Sequence, residues 1–248
     1  MLDNITLSNN YRNTAEIPSQ NWTTNSWNST TVVYWLSGGT TILALNTLTI
    51  SPGVKIKANN NGVLQVNGKL TADGTQSAPI TFTSEKDDTV CGVGAAGENI
   101  CDTNNDGSAS VPAANDWGRI EFGSGSDSTS IIRRAIIRYG GAGVKLNAVS
   151  PTISYALFKT NYHGMELLSG ARPTLVCNDF ENNQDYGVYN YQASTLATAE
   201  QQWWGHTSGP KHLSNAGGLG DRVSDGIDFI PWAASPCTYS IPTPTPTK

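Results

Sequence analysis

Residues Asp102-Thr103-Asn104-Asn105-Asp106-Gly107-Ser108 carry oxygen side chains at alternate positions, the pattern D-x-[DN]-x-[DN]-G that a hard cation requires. As such a segment curls, Asp102, Asn104 and Asp106 converge, Gly107 permits the sharp turn, and Ser108 offers its carbonyl. The glutamate that completes an EF-hand is missing, since Ala113 stands in its place. Further carboxylates must come from outside the loop, and Asp87, Asp88 and Asp116 are the nearest. The expected ion is Ca2+ in a structural role, stiffening a long excursion that a core cannot hold. The competing reading is a solvated loop whose Asp and Asn residues only make turns.

A second constellation is Arg138, Lys159 and Glu181, spaced by 21 and then 22 residues. A polysaccharide lyase needs a cationic group to acidify a sugar C–H and a base, often Arg or Lys, to remove the proton. His163 follows one corner later. Glycoside hydrolysis would instead need two carboxylates across a cleft, with Glu166, Asp179, Glu181 and Asp185 as candidates. A vertical ladder of charge is equally what the solvated surface of any stacked β-protein presents. No nucleophile motif, phosphate loop or dinucleotide fingerprint is present.

The elements that would position these residues come from internal repetition. Residues 130–150, 151–171 and 173–194 align, so that Ile132, Ile153 and Leu175 are equivalent, as are Ile137, Phe158 and Phe180. Gly143, Gly164 and Gly187 each precede an apolar residue, Val144, Met165 and Val188. Each repeat holds two short strand-like pieces joined by a Gly- or Asn-bearing corner. Pieces this short are unstable alone, but stacked on equivalent neighbours at about 4.8 Å they form ladders of like residues. Lys145 over Glu166 and Lys159 over Glu181 are expected as outward ion pairs, and Asn161 over Asn183 as an asparagine step. Residues 47–84 alternate apolar and polar positions with turn signals at Pro52-Gly53, Asn60-Asn61-Gly62 and Asp73-Gly74. The fold class is therefore all-β, a single-stranded right-handed parallel β-helix, with an inserted Asp/Asn-rich loop and a Trp-rich C-terminal cap. A β-sandwich gives no reason for recurrence at this spacing.

The 248 residues divide into an N-terminal extension or cap (1–31), the β-helix (32–232) and a Pro-Thr linker (233–248). Within the helix, 85–116 is the inserted loop and 199–232 the closing segment, where Trp203, Trp204 and Trp232 would seat on the last open coil. Trp22, Trp27, Tyr34 and Trp35 would serve the other end. The even cysteine count without any CxxC favours disulfides over zinc, with free buried thiols as the alternative. Cys91 with Cys101 would close a small loop, and Cys177 with Cys237 would tie the tail to the body. Disulfides imply an oxidising compartment. A net charge of −5 disfavours nucleic acid, and no apolar run is long enough to span a bilayer. The chain reads as a monomeric piece of a larger secreted or cell-surface protein, with a signal before Met1 and adjoining domains after Lys248.

Three blocks resemble bacterial extracellular right-handed parallel β-helix proteins of the pectate-lyase-like superfamily. They are Leu48–Val54 with Gly68–Ala72 and Pro79–Ser84; Asp116-Trp117-Gly118-Arg119-Ile120; and Trp203-Trp204-Gly205 with Ser208-Gly209-Pro210, Asp221–Ser224 and Pro231-Trp232. The resemblance implies the scaffold, a return into the helix at Asp116–Ile120, and an Asp-rich insertion of this type at this place. It says little about activity, because the scaffold hosts lyases, hydrolases, esterases, adhesins and inert modules. The aspartate trio of its hydrolases and the paired Asp and Gln of its esterases are not evident here. The expectation is a non-catalytic, calcium-stabilised extracellular module, a rigid spacer or polysaccharide-binding domain. The alternative is a lyase or hydrolase acting on an acidic glycan along the Arg138/Lys159/Glu181 face.

Overall fold

The computed structural model describes residues 14–93, 97 and 99–237. These form an all-β parallel solenoid without a helix. Each coil contributes one short strand to each of three parallel sheets, except the last, which supplies the first two only. The first sheet contains Thr14–Ile17, Val33–Leu36, Lys55–Ala58, Ile80–Ser84, Ala135–Arg138, Leu157–Lys159 and Asp179–Glu181. The second contains Gln20–Trp22, Gly39–Ile42, Val63–Val66, Arg119–Phe122, Ala142–Asn147, His163–Leu168 and Tyr186–Asn190. The third contains Asn25–Trp27, Thr47–Ile50, Lys69–Asp73, Ile131–Arg133, Thr152–Ser154 and Thr174–Val176.

Register follows the repeat. Ile132 pairs with Ile153 and Ile153 with Leu175, while Ile137, Phe158 and Phe180 align in the first sheet. Val144, Met165 and Val188 align in the second. The inward ladders fill the core, and one is aromatic: Phe158 stacks on Phe180 at 5.0 Å and Phe180 on Trp204 at 4.9 Å. That spacing is the inter-strand distance itself, so each ring sits flat on the one below. A Cβ on Gly164 would lie 2.5 Å from the carbonyl oxygen of Gly187 and 2.9 Å from the Phe180 ring. The repeat therefore needs glycine there to let ladder and sheet close on each other.

The Gly- and Asn-bearing corner expected is present between the first and second sheets, at Gly140-Gly141, Asn161 and Asn182-Asn183, and the repeats have a further corner between the third and first sheets. Arg134, Tyr155 and Cys177 occupy this further corner of successive coils with φ of 48°, 53° and 49°. Their left-handed backbone is held by the next coil: Arg134 N donates to Ser154 O and Tyr155 N to Val176 O, each at 3.0 Å. The asparagine step is longer than the sequence suggests. Asn161 Nδ2 donates to Asn183 Oδ1 at 3.1 Å, and Asn183 Nδ2 donates to Asp221 Oδ2 at 2.7 Å, so a carboxylate from the closing segment ends the ladder.

The coil stack begins before residue 32. Thr14–Ile17, Gln20–Trp22 and Asn25–Trp27 already supply one strand to each sheet, within the stretch assigned from sequence to an extension. Its polar outward residues mask the pattern. Trp27 is buried and stacks on Tyr34 at 5.1 Å. At the other end Trp204 is fully buried on the aromatic ladder, as a cap requires. Residues 233–237 pack against the last coil rather than leaving it, because Cys177 and Cys237 form a disulfide. The Pro-Thr stretch from 238 onward lies outside the described residues, as do residues 1–13 of the expected extension. No helix among the described residues is long and apolar enough to cross a membrane.

Candidate functional site

The outward ladder of the first sheet runs Trp35, Lys57, Thr83, Arg138, Lys159, Glu181. Arg138, Lys159 and Glu181 thus stand on one outward position of three coils, as the spacing predicts. What lies above them could not be read from periodicity. The insertion leaves the first sheet after Ser84 and folds back over this ladder. Trp35 Nε1 donates to Glu85 at 2.9 Å, the Lys57 ammonium donates to the Cys101 carbonyl, and the Thr83 hydroxyl donates to Asp87. Lys57 is fully buried in consequence, and burial lowers its pKa to about 8 against the opposing charges of Asp87, Asp88 and Asp102. The disulfide Cys91–Cys101 closes the insertion on itself.

Arg138 is occupied by this roof. Its Nη2 lies 2.6 Å from Asp87 Oδ2 and donates to Thr89 Oγ1 at 2.6 Å. Lys159 is paired with Glu181 at 3.3 Å. Beside Glu181, on the same outward face of the last coil, the tail reaches Asp179 through Cys237. There Asp179 Oδ1 accepts the Cys237 N–H at 2.8 Å, and burial raises the Asp179 pKa to about 7. A proton-abstracting base must be free to take a proton, and a guanidinium locked to a buried carboxylate is not.

The residues expected to hold a cation fall in two places. Asp87 is fully buried and faces Arg138, Thr83 and Thr89 instead of the loop. Asp102 accepts the N–H groups of Asp106 at 3.1 Å and Gly107 at 2.8 Å, which curls the loop as the motif implies. Asn104 Nδ2 donates to Asp106 Oδ2 at 2.9 Å. Two oxygens in this region, Asp88 Oδ1 and Asn104 Oδ1, are buried and accept no hydrogen bond. The Asp88 pKa is raised by burial, with Lys57 opposing and the carboxylates of Asp102, Asp106 and Asp87 adding to the rise. Orphaned oxygens beside mutually repelling carboxylates suit a divalent cation. Ser108 is exposed, and Asp116 is committed elsewhere, in an ion pair with Lys86 at 2.8 Å. Among the described residues no three His, Cys, Asp or Glu side chains converge as a metal cluster, so any ion would rely on Asn104 and main-chain carbonyls as well.

On the second sheet the outward ladder is Thr41, Gln65, Glu121, Lys145, Glu166, Tyr189. Lys145 does stand over Glu166, but its ammonium turns to Glu121 at 3.5 Å. Glu166 is held by His163, whose Nδ1 is 2.7 Å from Glu166 Oε1 and whose Nε2 is 3.3 Å from Asp185 Oδ2. Burial pushes the imidazolium down, yet hydrogen bonds to Glu166 and Asp185 outweigh it and leave the His163 pKa above its ordinary value. The ring stacks on Tyr189 at 5.5 Å, and Tyr189 meets Tyr186 and Tyr191 edge-on at 4.7 and 4.6 Å. Sequence reasoning named His163, Glu166 and Asp185 as candidates but not that they meet, and it passed over the tyrosines around them. Their one signal was the run of aromatic residues in YGVYNY at 186–191.

The sequence profile of the pectate-lyase like beta helix domain matches residues 21–158, more than half of the chain. No curated protein and no solved structure matches it.

Proposed function

The chain belongs to the family of pectate-lyase-like β-helix domains, and from that premise we propose that it is a non-catalytic extracellular module, a rigid spacer that binds polysaccharide. The observation that carries this reading is the state of the first-sheet ladder. Arg138 is locked to buried Asp87 under the insertion, and Lys159 is spent on Glu181. Cys91–Cys101 closes the insertion that lies over this ladder, Cys177–Cys237 ties the tail to the last coil, and both are compatible with an oxidising, extracellular setting. Calcium belongs to the proposal as a structural ion. Asp88, Asn104 and Asp106, with Asp102 and the Ser108 carbonyl, would hold it, and it would neutralise the loop's carboxylates and stiffen the insertion.

A polysaccharide lyase or glycoside hydrolase is the second reading. It draws support from His163 between Glu166 and Asp185 on the second sheet, an imidazole placed between two carboxylates. The deciding experiment incubates the protein with uronic-acid polymers, with and without calcium. Unsaturated product is followed at 235 nm and new reducing ends are counted. The non-catalytic reading expects neither signal above a protein-free blank. Turnover that Lys159→Ala or His163→Ala abolishes would overturn it.

A further inference from the structure

We propose that two adjoining clefts, between the last coil of the second sheet and the closing segment, form a binding site for an extended neutral pyranose polysaccharide. This rests on the binding role above and gives it a location. The larger cleft, about 530 Å³, is lined by Tyr186, Tyr189, Tyr191 and His212. The smaller, about 390 Å³, runs past Asp185, Gly205 and Gly220. Lys211 and Arg222 line both. The two clefts are therefore one trough bent around a cationic ridge, a shape that suits a chain more than a single sugar.

The chemistry of the trough is that of a sugar site. Tyr191 is 53% exposed and presents a ring to solvent. It is braced edge-on by Tyr189, which is itself stacked on His163. His163 is clamped from both ring nitrogens by Glu166 and Asp185. Arg222 lies over the Tyr186 ring at 5.2 Å and reaches Asp185 at 3.5 Å. The aromatic surface is thus held in place before a ligand arrives, which spares the entropy of ordering it. The C–H face of a pyranose packs on such a ring, while Lys211 and Arg222 offer partners for its hydroxyls. Charge decides between neutral and acidic chains. Lys211 and Arg222 stand against three carboxylates, Asp185, Asp221 and Asp225. The trough has no positive excess to reward a polyanion, and the chain as a whole carries −5.

The test is native affinity electrophoresis of the full chain in gels containing xyloglucan, a soluble β-1,3-glucan, galactomannan or polygalacturonate. At least one neutral polymer should retard the wild type more than polygalacturonate does. Tyr191→Ala, at an exposed position, should weaken that retardation about tenfold. Tyr191→Phe, which keeps the ring, and Lys159→Ala, on the other face, should leave it unchanged. Retardation that survives Tyr191→Ala but falls with Lys159→Ala would overturn the location and leave the binding role standing. Preference for polygalacturonate would overturn the neutral-chain assignment. Absence of retardation in every gel would overturn the site and the binding role together.

Discussion

Replacing Asp179 by asparagine should stabilise the protein at neutral and alkaline pH and change little in acid. The Asp179 side chain is 3% exposed, and its Oδ1 accepts the Cys237 N–H at 2.8 Å. Burial is the main cause of its raised pKa, from 3.8 to about 7, with the nearby Glu181 charge adding and the Cys237 N–H opposing. A carboxyl whose folded pKa is raised binds its proton more tightly in the folded state. Its contribution to stability is full below about pH 4 and is lost as pH rises through about 7. Three pK units correspond to about 4 kcal/mol, a ceiling that any loosening of the tail reduces. Asparagine keeps an acceptor for the Cys237 N–H and never ionises. Urea unfolding of both proteins from pH 4 to 8.5 is practical because no free cysteine is present to scramble the disulfides. The difference in unfolding free energy should open by about 2–4 kcal/mol across that range, in favour of the variant. Asp221, whose pKa burial raises to about 6, and His163 are retained in both proteins, so their titrations cancel in the difference. Parallel pH profiles would refute the claim that Asp179 holds a buried, destabilising charge above pH 7.

Arg138→Ala should cost about 3 kcal/mol in chemical denaturation, because it leaves the buried Asp87 carboxylate without its cation; it should also make residues 85–116 more susceptible to limited proteolysis. Gly164→Ala should destabilise by a few kcal/mol, since its Cβ would meet both the Gly187 carbonyl and the Phe180 ring, and a melting temperature equal to wild type would contradict the packing described. Calcium should raise the melting temperature over EDTA, and the double substitution Asp102→Ala with Asp106→Ala should remove the rise; identical melts in calcium and EDTA would end the cation proposal.

The sequence by itself determined the coil. A recurrence of 21 or 22 residues has one economical solution, in which equivalent positions stack at the strand spacing. Ile132, Ile153 and Leu175 therefore had to form one ladder and Phe158 and Phe180 another. The outward alignment of Arg138, Lys159 and Glu181 followed from the same repeat. The disulfides were readable from cysteine count and spacing. The first coil, 14–27, was not, because a terminal winding with polar outward residues has too few neighbours to reveal a period.

Only the tertiary structure decided which part of the outward surface is covered. Periodicity states which side chains point out but not what lies over them. Where the insertion and the tail come to rest depends on contacts between residues far apart in the chain: Lys57 with Cys101, Asp87 with Arg138, Asp179 with Cys237. Those contacts bury a lysine and two aspartates that composition alone would place in solvent, and they tie Arg138 of the candidate ladder to a buried carboxylate. The partners of Lys145 and His163 were likewise settled in space, by Glu121 on the preceding coil and Asp185 on the following one. A charged side chain long enough to reach either neighbouring coil has more than one carboxylate within range, and packing around it, not its position in the repeat, makes the choice.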